Sequence, residues 1–220
     1  MNLLDPALLD RALPLLGPAL MMTLLLGLVS FAAGCVLGML LTLARLSGRR
    51  PLVLLSIAYV SVFRGTPLLI QILVIYFGLP QMGIQLGAFL SAVTALTLHT
   101  AAYLSENFRA GFLAVDRGQW EAADSLGMSS LRTLRRVVLP QAIRVATPAV
   151  GSRFIALMKD TSLASVITVA EITQAAEAVG SSTFRYMEMF LLAAVVYWLM
   201  NAALSIGQAV LERRMGRAYA

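Results

Sequence analysis

Asp116-Arg117-Gly118-Gln119-Trp120-Glu121-Ala122-Ala123-Asp124-Ser125-Leu126-Gly127 opens the longest polar interruption in this chain, and Val138-Leu139-Pro140-Gln141 closes it. A short helix fits residues 119–126, with Trp120, Ala123 and Leu126 falling near one face. Gly127 is placed to stop it, because glycine enters the left-handed C′ conformation without a steric penalty. A second helix fits residues 129–138, where Leu131, Leu134, Val137 and Val138 make an apolar stripe and Arg132, Arg135 and Arg136 lie largely off it. Pro140 is expected to break that pattern. The segment 116–140 therefore reads as a compact polar knob with one short helix presented outward.

What surrounds the knob is strongly apolar. Of 220 residues 59% are hydrophobic and 13% charged, and the mean hydropathy is +0.82. An ordinary soluble domain is about 45–50% apolar, so the chain reads as an all-α integral membrane protein. Five spans are expected, at about 19–44, 52–79, 86–108, 141–158 with a broken segment to 171, and 186–210. The whole chain, 1–220, reads as a single transmembrane domain. Residues 1–18, with Pro6, Pro14 and Pro18, read as an irregular or interfacial lead-in rather than a signal peptide. Residues 172–185 read as an outer loop.

Charge sets the orientation. The net charge is +6, carried almost entirely by arginine, with Lys159 the only lysine. With five spans the arginine clusters at 45–50, 132–144 and 213–217 all face the cytoplasm, which puts the N-terminus outside and the C-terminus inside. No basic patch is interleaved with stacking aromatics, so no nucleic-acid partner is expected. Cys35 and His99 are the only residues of their types, which leaves no disulfide, no metal cluster and no supported triad. His99 reads as a polar helix-packing residue. Gly34 and Gly38 form a small-xxx-small pair that permits close helix approach.

At Glu121-Ala122-Ala123, Gly127 and Leu139-Pro140 the chain resembles the EAA-motif membrane subunits of bacterial ABC importers. Ala101-Ala102-Tyr103-Leu104-Ser105-Glu106, Gly118-Gln119, Leu139-Pro140-Gln141-Ala142 and Lys159-Asp160-Thr161-Ser162-Leu163 resemble the polar amino acid permease branch. The resemblance runs from about Leu15 to the C-terminal arginines. It implies a type I (MetI-like) permease fold, with the short helix as a coupling helix docked in a cytoplasmic ATPase. Gly118, Trp120, Glu121, Ala122, Ala123, Leu126 and Gly127 are then the coupling residues. It also implies an extracytoplasmic solute-binding protein, an identical or related permease subunit completing a dimer, a polar amino acid substrate and a location in the inner membrane among its lipids.

A P-loop requires GxxxxGK[ST]. Lys159 sits between Met158 and Asp160, so this chain is expected to bind no cofactor, with ATP and Mg held by the partner ATPase. It is accordingly read as a transport subunit and not an enzyme. The alternative class is an ion-coupled carrier or channel for a small polar solute, which predicts uptake indifferent to ATP. For the solute, polar residues at broken helices are the candidates: Arg64, Thr66 and Gln71 in the second span, and Asp160, Thr161 and Ser162 after the fourth. Asp160 suits an ammonium, and hydroxyls, helix-end amides or Arg64 suit a carboxylate. The plainer reading is that Arg64, Lys159 and Asp160 neutralise one another. Glu106 and Arg109 read as gate or structural residues.

Overall fold

Leu8, Ala12, Leu16 and Ala19 recur every three or four residues, and all four are buried. That stripe carries helix α1 from Pro6 to Leu46, in a computed structural model that describes residues 6–217. The expected irregular lead-in is therefore corrected for residues 6–18, while residues 1–5 lie outside the described part. Pro14 and Pro18 each remove a backbone donor, but burial of the stripe against Ile172, Ala176, Val179, Met189 and Ala193 offsets the loss.

Helix α2 (Arg50–Gly65) stops where Thr66 turns extended ahead of Pro67, since the proline ring disfavours helical geometry in the residue before it. Helix α3 (Leu68–Leu73) follows, widening into a π turn at Val74–Gly78 and tightening into a 3-10 turn at Leu79–Met82. The two limbs bend by 105°. Helix α4 (Ala88–Leu113) is the hub. Tyr59 of α2 donates to the Leu98 carbonyl (2.8 Å), and Thr42 of α1 donates to the Ser105 carbonyl (2.9 Å). A Cβ on Gly38 would stand 3.0 Å from the Leu104 Cβ, and one on Gly34 3.2 Å from the Thr100 Cγ2. The small pair thus seats α1 on α4 within this chain.

Helices α5 (Arg117–Ser125) and α6 (Ser130–Thr133) form the knob. The chain then passes through a π turn, Leu134–Val138, into α7 (Leu139–Asp160). Pro140 does not break the helix as expected. It sits in the first turn of α7, where a missing N–H costs little, and the Leu139 N–H reaches back five residues to the Leu134 carbonyl. A 3-10 segment, Thr161–Ile167, ends at the left-handed Thr168. The expected outer loop at 172–185 is corrected to helix α8 (Ile172–Thr183). Ile172, Ala176, Val179 and Gly180 form its buried stripe, while Glu177, Ser181 and Ser182 face outward. Helix α9 (Tyr186–Arg217) completes the described chain.

Among the described residues no strand occurs. Three helices, over Leu8–Leu46, Ala88–Leu113 and Tyr186–Arg214, are long and apolar enough to cross a membrane; the bent α2–α3 pair makes up to four. Leu8–Leu46 is 39 residues long, about 58 Å at 1.5 Å per residue, well beyond a hydrocarbon core of about 30 Å.

Candidate functional site

The knob is built by local capping. Asp116 Oδ1 accepts the Gly118 N–H at 2.6 Å and starts α5. At the other end Gly127 takes φ +69°, the Gly127 N–H donates to Asp124 and the Met128 N–H to Ala123. That pair of bonds is a Schellman cap, which needs the left-handed residue only glycine supplies cheaply. Gln141 Nε2 donates to Gln119 Oε1 (3.2 Å) and to the Val137 carbonyl (2.9 Å), tying α5 to the base of α7. Val115, Val138 and Ala142 pack beneath.

Ala123 does not lie on the presented face with Trp120 and Leu126: it is buried inside the knob, because α5 needs one face to seat on the chain itself. On α5 and its cap, Trp120 (40% exposed) and Leu126 (81%) are the large apolar groups left outside, with Gly118, Glu121, Ala122 and Gly127 exposed around them.

The second constellation lies where the α2–α3 break meets α4 and α7. Breaking a helix leaves carbonyls without donors, and Gln71 supplies them. Its two Nε2 hydrogens face three acceptors, the Phe63 carbonyl (2.9 Å), the Thr66 carbonyl (3.1 Å) and Thr66 Oγ1 (2.9 Å), so one is shared. Thr66 Oγ1 in turn donates to the Val62 carbonyl at 2.8 Å. With the amide nitrogen on carbonyls, Gln71 Oε1 faces His99, so His99 Nδ1–H donates to it at 3.2 Å. Gln71 and Thr66 thus hold the break together. A Gln71→Leu variant leaves buried groups unpaired and is expected to lose about 1–3 kcal/mol, read as a lower Tm in detergent; an unchanged Tm would contradict the stapling role.

Tyr103 stands beside this staple on α4, with its ring 5.1 Å from that of His99. Two guanidiniums flank the same ring, Arg64 at 5.1 Å and Arg153 at 4.7 Å from the centroid. Arg153 Nη2 donates to Asp160 Oδ2 (2.9 Å) and to Thr100 Oγ1 (3.2 Å). Of the sequence candidates, Arg64 and Asp160 therefore share one cluster, and Gln71 and Thr66 support it. Thr161 is fully buried with its hydroxyl on the Met158 carbonyl, and the Ser162 hydroxyl donates to the Lys159 carbonyl. Asp160 pairs with Arg153. Glu106 is held by Arg109 (2.6 Å) and Arg45 (3.5 Å), joining α1 to α4.

Sequence reasoning missed Tyr103, Thr100 and Arg153 as members of the cluster. Arg153, an ionisable residue inside an apolar helix, was the available signal. A groove of about 550 Å³ between α4, α7 and α9 is lined by apolar groups such as Phe108, Phe154 and Leu211, and none of the cluster's polar side chains lines it. No group of His, Cys, Asp and Glu suited to a metal occurs among the described residues.

Residues 34–217 match the family model described as the binding-protein-dependent transport system inner membrane component. The chain is 43% identical over 208 residues to the L-cystine transport system permease protein TcyB of Bacillus subtilis (strain 168), covering 94% of this chain and 89% of that protein. It is 39% identical over 205 residues to the arginine transport system permease protein ArtQ of the same organism, covering 92% and 93%. A solved amino acid ABC transporter, crystallised with histidines, superposes with a TM-score of 0.90 at 39% identity over 96% of this chain and 99% of that one. The inward-facing MetNI methionine ABC transporter superposes with a TM-score of 0.73 at 20% identity, over 96% and 99%, which supports the type I fold alone.

The chain belongs to the binding-protein-dependent transport system inner membrane component family, and it is a multi-pass inner-membrane permease subunit of the ABC importer class.

Proposed function

We propose that this chain is the permease subunit of an ATP-driven importer of polar amino acids, with residues 1–220 forming one transmembrane domain. The observation that carries this reading is α5: a short, doubly capped helix that leaves Trp120 and Leu126 exposed on a polar knob. A helix-in-groove dock requires a few apolar anchors on a rigid short helix. Gly118, Trp120, Glu121, Ala122, Leu126 and Gly127 form the docking face, and Ala123 sets how closely α5 seats on the subunit. Because this chain has no P-loop, ATP and Mg belong to the partner ATPase. Relatives that carry cystine and arginine support the amino acid class.

In this reading the chain spans the membrane five times. α7 is the remaining span, its Arg144, Arg153 and Lys159 making it too polar to be recognised by hydropathy. The N-terminus is outside and the C-terminus in the cytoplasm. Two permease subunits, identical or related, enclose the pathway, since five helices are few to surround a solute. A solute-binding protein delivers it from outside. Arg64, Tyr103, Arg153 and Asp160 face the solute, and Thr66, Gln71, Thr161 and Ser162 shape the backbone around it. Nucleotide-driven closure of the ATPases moves the knobs and tips α4 and α7 between inward- and outward-facing arrangements.

A photo-crosslinker tests the docking face and the topology together. On Leu126→Cys in a Cys35→Ala background it is expected to capture the co-encoded ATPase. On Phe184→Cys, at the exposed turn between α8 and α9, it is expected not to. Capture from Phe184, or none from Leu126, would overturn the reading.

A further inference from the structure

Two cations against one aromatic ring are an unusual arrangement, and the surroundings do not balance them. Beside Tyr103 stand Arg64 and Arg153, opposed by the single carboxylate of Asp160. Glu106, the next acid on α4, also acts on Arg64 through its charge, but its oxygens are bonded to Arg109 and Arg45. Lys159, beside Asp160, adds another positive charge at an exposed position. Arg64, Arg153 and Lys159 against Asp160 leave the cluster net positive, with Arg153 and Asp160 themselves largely buried, where charge is costly without partners.

Arg153 also has hydrogen-bonding capacity to spare. Its side chain is only 11% exposed, Nη2 serves both Asp160 and Thr100, and Nε is buried with no hydrogen-bond partner. A buried guanidinium N–H without an acceptor costs stability until one arrives. With both Nη2 hydrogens engaged, the remaining donors of the guanidinium are best met by a charged oxygen acceptor, a carboxylate. A simple α-amino acid brings one carboxylate and one ammonium, so it pairs with one guanidinium and leaves the other without an acceptor. A cationic amino acid adds to the excess. A solute with a second carboxylate gives each of the two guanidiniums beside Tyr103 an acceptor.

We infer that the transported amino acid carries two carboxylates and that Arg153 is the residue selecting it. The inference rests on the amino acid permease reading and adds a substrate class to it. Two kinds of solute share this chemistry: an acidic amino acid with its side-chain carboxylate, and a two-headed diamino dicarboxylic acid. In both, one carboxylate meets Arg153, the other meets Arg64 and one ammonium meets Asp160; the two-headed acid carries a second ammonium and is neutral overall, so for it the match is one of partners and not of net charge.

The test uses the purified permease–ATPase complex without the solute-binding protein, so that selectivity belongs to the membrane site. Thermal shift and calorimetry are run with L-glutamate, L-cystathionine, L-glutamine and L-arginine. One or both dicarboxylates are expected to raise the Tm and bind at least ten-fold more tightly than glutamine or arginine; which of the two does so separates the acidic from the two-headed solute. Arg153→Gln is expected to erase that preference and Arg153→Lys, which keeps the charge but not the fork, to restore part of it. Tightest binding of arginine or glutamine, binding of none of the four, or a preference unchanged in Arg153→Gln would overturn the inference. The permease reading fails separately, by the absence of ATP-dependent uptake of any amino acid.

Discussion

Leu126→Asp is expected to abolish ATP-driven uptake while leaving the subunit folded. Leu126 is 81% exposed at the end of α5 and contributes little to the fold. Its backbone N–H, which donates to the Ala122 carbonyl, is unaffected by the side chain. In the proposed docked state the same side chain would be an apolar anchor in the ATPase groove. Placing a carboxylate there forces an unpaired charge into an apolar pocket, and truncated anchors of that type typically cost 2 kcal/mol or more. Binding weakens by about 30-fold or more at that cost. The measurement is co-purification of the ATPase together with uptake and with Tm of the isolated permease. Loss of the first two at an unchanged Tm is the predicted pattern. Retained ATPase binding would mean that α5 is not the docking element.

Gly111→Leu is expected to have the opposite signature, failing at the level of the fold. A Cβ on Gly111 would stand 2.5 Å from the Ala142 carbonyl oxygen and 3.0 Å from the Ala146 Cβ. Both belong to α7, and one is backbone, so neither can rotate aside. α4 and α7 must separate just above the knob, where Asn107 donates to the Ala149 carbonyl and Val138 and Ala142 are buried. Overpacking of this kind costs about 1–3 kcal/mol, with more for a clash against main chain. The expected result is a Tm lowered by several degrees or loss of recoverable protein. Gly17→Ala is the control, because nothing lies within 4 Å of a Cβ at Gly17 and alanine favours a helix interior. Equal effects from both would contradict the close approach of α4 and α7.

The knob was the most legible part of the sequence because its structure is local. Asp116 as a cap and Gly127 as a stop act within a few residues, so α5 could be placed to within two residues at each end. Ala123 was misplaced for the converse reason. Its burial depends on how α5 seats against Leu134–Val138, which spacing within α5 does not encode. Pro14, Pro18 and Pro140 were over-weighted as breakers. In α1 tertiary burial of Leu8, Ala12 and Leu16 overrides the local cost, and at Pro140 a π turn accommodates the ring. Helix α8 escaped detection because only Ile172 and Val179 of its buried stripe are large, while Ala176 and Gly180 are small and polar residues lie among them.

At the Tyr103 cluster the break at Thr66-Pro67 was readable from the sequence, but the use of Gln71 was not. Its role is set by carbonyls left over from α2 and by His99, 28 residues away. Arg153 and Tyr103 lie on different helices and meet only through the antiparallel packing of α4 and α7, with Thr100 opposite Arg153 and Asn107 opposite Ala149. No single-helix pattern carries that information.

The most direct test of the central claim is amino acid uptake into proteoliposomes holding this chain with its ATPase and solute-binding protein, with and without ATP, beside a Glu121→Lys copy. Glu121 is exposed on α5, and reversing its charge should disturb docking without touching the membrane helices. The prediction is uptake that requires ATP and is lost in the variant at an unchanged Tm. Uptake indifferent both to ATP and to Glu121 would contradict it and make the chain a carrier or channel.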